Sequence, residues 1–174
     1  AGPWRGGKYS AWEGGTRVPF IVSWPGTIQP GRSDALISQV DLIASFARLT
    51  GATLPAGAAR DSRELLDTLL GRSETGRDYV IQQGTSILAI RHGDWKYLPP
   101  GRVNNRAGVD RFVQTPIPAT GALYYLPEDP EELNNVAALY PAKARQLREL
   151  LEAEIGRPAS QNPQGDTLGG AVQK

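Results

Sequence analysis

The run Arg5-Gly6-Gly7-Lys8 puts a cation beside flexible backbone. Glycines let a chain approach a ligand closely, and exposed N–H groups next to an ammonium suit an oxyanion. Lys is a compact point charge that can sit against a tetrahedral anion without bidentate geometry. It would matter most where charge develops on a leaving oxygen or on a transferring sulfuryl or phosphoryl group. Gly2, Gly7 and Lys8 also trace the outline of a nucleotide-binding P-loop. That motif requires Ser or Thr after the Lys to hold Mg2+, together with a preceding strand. Tyr9 occupies the first place and only Ala1 precedes the second, so the P-loop is rejected. Glu13 and Arg17 flank Gly14-Gly15. Glu13 reads as a partner that fixes the loop, since no second carboxylate is placed for acid–base work. Arg17 reads as structural, holding the Gly-Gly turn or a carboxylate. His92 lies at a hairpin turn and reads first as a surface turn histidine, with substrate contact at a pocket rim as the weaker alternative. As a catalytic base it would need both an orienting carboxylate and a nucleophile.

Composition excludes other chemistries. The 174 residues hold 19 Lys plus Arg and 18 Asp plus Glu, a net charge of +1, with no Cys, no Met and a single His. Disulfides, thiolate metal sites and a Cys nucleophile are impossible, and one His cannot complete a zinc site of the usual type. A Ser–His–Asp triad would have to run through His92. The balanced charge supplies no field for nucleic acid or an anionic membrane, and no apolar run reaches about 18 residues, so neither is expected as a partner. The lack of Cys fits either redox compartment.

These residues need elements to hold them. Residues 1–15 read as loop. Val18, Phe20, Ile21, Val22 and Trp24 read as a buried strand closed by Pro25-Gly26. Asp41 is expected to cap a helix running to Leu49, with Leu42, Ile43, Phe46, Ala47 and Leu49 as its apolar face and Gly51 as its stop. Asp61 with Glu64 makes a capping-box pattern for a second helix that buries Leu65, Leu66, Leu69 and Leu70 and ends at Gly71. Short strands follow at 79–81, 87–90, 95–98 and 122–126, with Gly93-Asp94 as a hairpin turn. Trp95, Tyr97, Tyr124 and Tyr125 are expected as core and cross-strand pairs. Residues 99–118 read as a long polar loop, and Asp129-Pro130 as a turn. Pro141 opens a final helix lined by Leu147, Leu150, Leu151 and Ile155. Residues 157–174 read as a flexible tail. The expected organisation is an α/β segment over 1–71, a small antiparallel sheet with a helix over 72–156, and the tail. A lone buried strand needs neighbours to pair with, which together with the absence of internal Met suggests a piece of a longer protein.

The residues that carry these features resemble a family. The run Arg5-Gly-Gly-Lys-Tyr-Ser-Ala-Trp-Glu-Gly-Gly-Thr-Arg-Val-Pro19, followed by Trp24-Pro-Gly26, is similar to the late signature of the formylglycine-dependent (type I) sulfatases. Val40-Asp-Leu-Ile-Ala-Ser-Phe-Ala-Arg-Leu-Thr-Gly51 resembles a helix of that family, with Ala44 in place of the usual Pro. Ser62 likewise stands where a Gly often follows Asp61. Arg91-His-Gly-Asp-Trp-Lys-Tyr97 and Leu123-Tyr-Tyr-Leu-Pro-Glu-Asp-Pro-Glu-Glu-Leu-Asn-Asn-Val136 resemble two further segments, in the family's order. The resemblance implies the C-terminal portion of an alkaline-phosphatase-like α/β fold that ends in a small antiparallel sheet packed with a helix. It implies hydrolysis of aryl or carbohydrate sulfate esters, with Lys8 contacting a sulfate oxygen and the leaving oxygen. It also implies Ca2+ and a formylglycine, both held by residues outside this chain, so that the metal ligands within it are none. The implied partners are a sulfated small molecule or glycan and the N-terminal portion of the same enzyme. The implied location is periplasmic or secreted. The isolated chain is predicted to be inactive. Two other classes remain open at this point: part of a related phosphate or phosphonate ester hydrolase, and a non-catalytic module binding carbohydrate or a partner.

Overall fold

The computed structural model describes residues 3–106 and 112–156. Contacts divide the chain into two compact units. Residues 3–20 fall with 78–156, and residues 21–77 form the other unit. Residues 3–20 thus belong with the antiparallel sheet in one unit, whereas the sequence division places them with residues up to 71.

In the first unit, β1 (Tyr79–Gln83), β2 (Leu88–His92), β3 (Trp95–Leu98) and β6 (Ala122–Tyr125) form an antiparallel sheet in the order β1-β2-β3-β6. Side chains alternate across a strand, so neighbouring residues serve opposite faces. Ile90, Tyr97 and Leu123 pack with Ala144, Leu147 and Leu151 of helix α4 (Pro141–Ile155). Their neighbours Ala89, Leu98 and Tyr124 pack with Ala11 and Trp12 of the N-terminal loop. The sheet is therefore covered on both sides. Pro141 sits in the first turn of α4 as expected, where a missing N–H is tolerated. Leu147 and Leu151 are buried, while Ile155 at the last turn is 57% exposed. Trp95 and Tyr125 are cross-strand partners with ring centroids 4.8 Å apart.

The expected polar loop at 99–118 contains a hairpin instead, β4 (Gly101–Arg106) against β5 (Phe112–Ile117). Val103 and Ile117 are buried from it and join the cluster around Trp12. The apolar residues of the two strands, Val103 in β4 and Phe112, Val113 and Ile117 in β5, do not alternate regularly with polar ones and so give no strand signal. The tail proposed at 157–174 lies outside the described residues.

The second unit holds α2 (Asp41–Thr50) and the four-residue α3 (Leu66–Leu69). Gly51 ends α2 in the left-handed conformation, φ +70°, as a C-terminal Gly should. Three expectations change here. Residues 18–24 are not a buried strand: they pair with no described segment and Ile21 is 89% exposed. A strand's backbone needs a neighbouring ladder, and the described residues provide none. Asp41 does not cap α2. It is the first helical residue, and its carboxylate accepts from Ser38 N–H (2.8 Å), Arg63 N–H (2.9 Å) and Arg77. The side that α2 buries carries Asp41, Ala44, Ser45 and Ala47, while Ile43, Phe46 and Leu49 are exposed. The Asp61–Glu64 capping box is also absent. Glu64 Oε1 accepts instead from Leu66 N–H at 2.6 Å, and the helix starts at Leu66. Leu66, Leu69 and Leu70 are buried as expected.

Candidate functional site

Residues 5–14 form a closed loop. Its neck is the Gly14 N–H donating to Arg5 C=O at 2.8 Å, and Ser10 N–H donates to Gly7 C=O at 2.9 Å inside it. The glycines are required by close approach. A Cβ on Gly14 would lie 2.5 Å from Arg5 O, and one on Gly15 would collide with Ser10 O and Gly7 O. Lys8 is exposed near the tip, with Nζ 4.8 Å from the Tyr9 ring centroid. Tyr9 has φ +74°, an uncommon conformation for a residue with a side chain. The Tyr9 C=O accepts from both Thr85 N–H (3.0 Å) and Thr85 Oγ1 (3.1 Å), in the turn between β1 and β2.

Below the tip the loop is tied to the sheet. Arg5 stacks on Trp12, 3.9 Å from its ring centroid, and donates to the Glu132 backbone C=O at 2.6 Å. Trp12 is fully buried and meets Tyr124 edge-on at 5.6 Å. Burial pushes the Tyr124 phenol up to about 12. Glu13 opens the short helix α1 (Glu13–Thr16) and is 1% exposed. Its backbone N–H donates to Glu132 Oε2 at 2.7 Å. Lys96 Nζ donates to Glu13 Oε1 at 3.0 Å, and Gln82 and Arg91 add donors at 3.2 and 3.3 Å. Lys96 Nζ also lies 3.1 Å from Glu132 Oε1 as an ion pair, without hydrogen-bond geometry. The result is a buried row, Glu13–Lys96–Glu132.

The two carboxyls respond differently. Burial pushes the Glu13 acid upward, but Lys96, Gln82 and Arg91 together outweigh it and hold the group below its ordinary value. For Glu132 burial prevails over Lys96 and the neighbouring Glu13 charge adds to it, so the group is raised. Arg17 reaches Glu13 Oε2 at 3.7 Å and lies over Trp4, 4.4 Å from its ring centroid. The expected structural roles of Glu13 and Arg17 are therefore both seen. A charged group on a pinned loop can meet an anion without first being ordered, which lowers the entropic cost of the contact.

The sulfatase family model matches residues 1–52, which include this loop. The chain is 46% identical over 160 residues to an N-acetylgalactosamine-6-O-sulfatase of Bacteroides thetaiotaomicron, covering 87% of this chain and 30% of that protein. It is 31% identical to the arylsulfatase A of Bos taurus, covering 87% of this chain and 33% of that protein. A solved structure from work on the metabolism of multiple glycosaminoglycans by Bacteroides thetaiotaomicron superposes with a TM-score of 0.78 at 45% identity, covering 90% of this chain and 32% of the other.

The chain belongs to the sulfatase family. Its fold is accordingly that of the alkaline-phosphatase-like sulfatases, and it spans about a third of the length of the relatives it matches. Within this sulfatase chain, Lys8 and His92 stand on different elements, a loop tip and the end of β2. His92 is half-buried and pairs in register with Tyr79 and Trp95. Sequence reasoning missed Lys96 and Glu132. Both stand in segments used for the resemblance, and a Lys between Trp95 and Tyr97 on an apolar strand was the available signal. Among the described residues, no group of three or more His, Cys, Asp or Glu side chains is placed to hold a metal ion. The described residues do not fit the calcium that the resemblance implies. No helix among them is long and apolar enough to cross a membrane.

Proposed function

We propose that this chain is the C-terminal portion of a sulfatase that hydrolyses sulfate esters, and that Lys8 is its contribution to catalysis. The observation that carries this is an exposed lysine on a closed, sheet-anchored loop, within the stretch matched by the sulfatase family. An ammonium offers three N–H donors and no acceptor. Lys8 Nζ would donate to a sulfate oxygen and to the ester oxygen as the S–O bond breaks and charge develops there. Removing a donor of this kind costs about 100- to 1,000-fold in kcat. Calcium and formylglycine belong, in this proposal, to residues outside the chain. Carbohydrate sulfates are the favoured substrates, because the 46% identical relative is named for N-acetylgalactosamine 6-sulfate.

The rest of the enzyme is the proposed partner. Phe20, Ile21, Val22 and Trp24 stay exposed in an extended stretch, an arrangement that a neighbouring strand would cover. The chain alone is expected to release no sulfate from an aryl sulfate or from the 6-sulfated sugar. The same chain joined to or coexpressed with its N-terminal portion is expected to do so. Turnover by the pure chain, or failure of the complete enzyme to cleave any sulfate ester, would refute the proposal.

A further inference from the structure

We infer that Glu132 is a positioning residue for Lys8, holding both strands of the lysine loop's neck at once. This rests on the sulfatase reading above and extends it to residues more than a hundred positions away in sequence. The neck consists of Arg5 and Gly14, joined by one backbone hydrogen bond. Glu132 grips each side of it. Its C=O accepts from the Arg5 guanidinium at 2.6 Å, and its carboxylate accepts from Glu13 N–H at 2.7 Å. Lys96, fully buried on β3, balances that carboxylate and the Glu13 carboxylate together, at 3.1 and 3.0 Å.

Several features make this costly if it served stability alone. Glu132 is 0% exposed and has φ +55°, so a buried charge and an uncommon backbone conformation coincide in one residue. Its turn is supported by Asp129, whose carboxylate accepts from Leu133 and Asn134 N–H at 2.9 and 2.8 Å. Buried ion clusters can often be replaced by apolar side chains without loss of stability. What apolar packing would not reproduce is the side chain's directional hold on the Glu13 main-chain N–H at the loop's neck, beside the backbone C=O that holds the Arg5 guanidinium. At the tip, Thr85 supplies the second fixed point through its two bonds to the Tyr9 carbonyl. Lys8 lies between these anchors, next to a residue at φ +74°. A displacement of about 1 Å in a group that must meet a developing charge can cost about 100-fold in rate.

The test uses the full-length enzyme and para-nitrophenyl sulfate, with Lys8→Ala, Glu132→Gln and the double variant, each checked by thermal melting. Glu132→Gln keeps the size of the side chain and the C=O held by Arg5, but loses the charge that faces Lys96 and leaves Glu13 N–H with a weaker, neutral acceptor at the neck. It is expected to lower kcat about 10- to 100-fold while the protein stays folded at the assay temperature. In the Lys8→Ala background the same substitution is expected to change kcat by less than about twofold, because groups that act as a unit are non-additive. Wild-type kcat in Glu132→Gln, or a full independent loss on top of Lys8→Ala, would overturn the inference. Unchanged kcat in Lys8→Ala would instead overturn the sulfatase role of Lys8, which separates the two failures. Should Glu132→Gln not fold, Thr85→Val replaces it. That exposed substitution removes only the hydroxyl bond to Tyr9 C=O, and a several-fold loss of kcat that disappears in Lys8→Ala is expected. Wild-type kcat in Thr85→Val would then count against the inference.

Discussion

Glu13 and Asp41 are both carboxylates on the first residue of a helix, both 1% exposed and both paired to a cation. Their surroundings differ. Around Glu13, both sheet faces are packed and the two hydrophobic clusters draw entirely on the unit of residues 3–20 and 78–156. Around Asp41 the polar ties are equally complete, to Ser38, Arg63 and Arg77, but α2 leaves Ile43 53%, Phe46 52% and Leu49 40% exposed. One region closes both its hydrogen bonds and its apolar surface within the chain. The other closes its hydrogen bonds and leaves its apolar surface open. The two requirements are separable, and a segment can be locally ordered by charge before it is packed. In the proposed enzyme, the open apolar surface is what the remaining polypeptide covers.

The contrast can be broken most sharply at Lys96. Lys96→Met leaves two buried carboxylates facing each other, and a buried pair that loses one partner costs about 3–5 kcal/mol. Urea unfolding followed by Trp fluorescence should register this, and amide exchange should rise across β3 and β6. A change below about 1 kcal/mol would show that the row is not closed as described. Asp41→Ala is expected to cost somewhat less, about 3 kcal/mol, because Arg77 is 11% exposed and can recover some water. Exchange should rise in α2 and stay unchanged in β3. Equal increases in both would erase the distinction between the regions.

The acid response sharpens the comparison further. Glu13 is held below its ordinary value of 4.5, so it contributes stability above that pH, which is lost as pH falls through its lower folded value. Glu132 is raised above 4.5 and acts oppositely: its folded form favours the proton, and stability declines as pH rises from 4.5 through the raised value. Glu132→Gln should therefore flatten the melting temperature above pH 4.5 and leave the loss on the acid side intact. A decline above 4.5 that persists in the variant would contradict the assignment. The smallest effect is expected at Phe46. Phe46→Ser should change the stability of this chain by less than about 0.5 kcal/mol, since exposed substitutions usually do. A loss near that of Asp41→Ala would mean that the apolar side of α2 is covered.

Legibility in the sequence followed the same division. Strands β1, β2, β3 and β6 and helix α4 were readable because their apolar spacing is satisfied inside the chain, and Leu147 and Leu151 are buried as the pattern demands. The spacing in α2 reads equally well as a helix, yet of its apolar face only Ala47 is buried, while Ile43, Phe46 and Leu49 stay exposed. Periodicity identifies an apolar stripe but not whether anything lies against it. The strand expected at 18–24 failed for that reason: Val, Phe, Ile and Trp describe a segment that wants neighbours, and the described chain has none to give. Lys8, Glu13 and Arg17 were visible as a compact motif. Lys96 and Glu132 were not, because 83 and 119 residues separate them from Glu13 and only the folded chain brings the charges together.

The most direct measurement is kcat for sulfate-ester hydrolysis by the full-length enzyme carrying Lys8→Ala. A lysine that stabilises the leaving oxygen predicts a loss of about 100-fold or more with an unchanged melting temperature. Wild-type kcat in that variant would contradict the account.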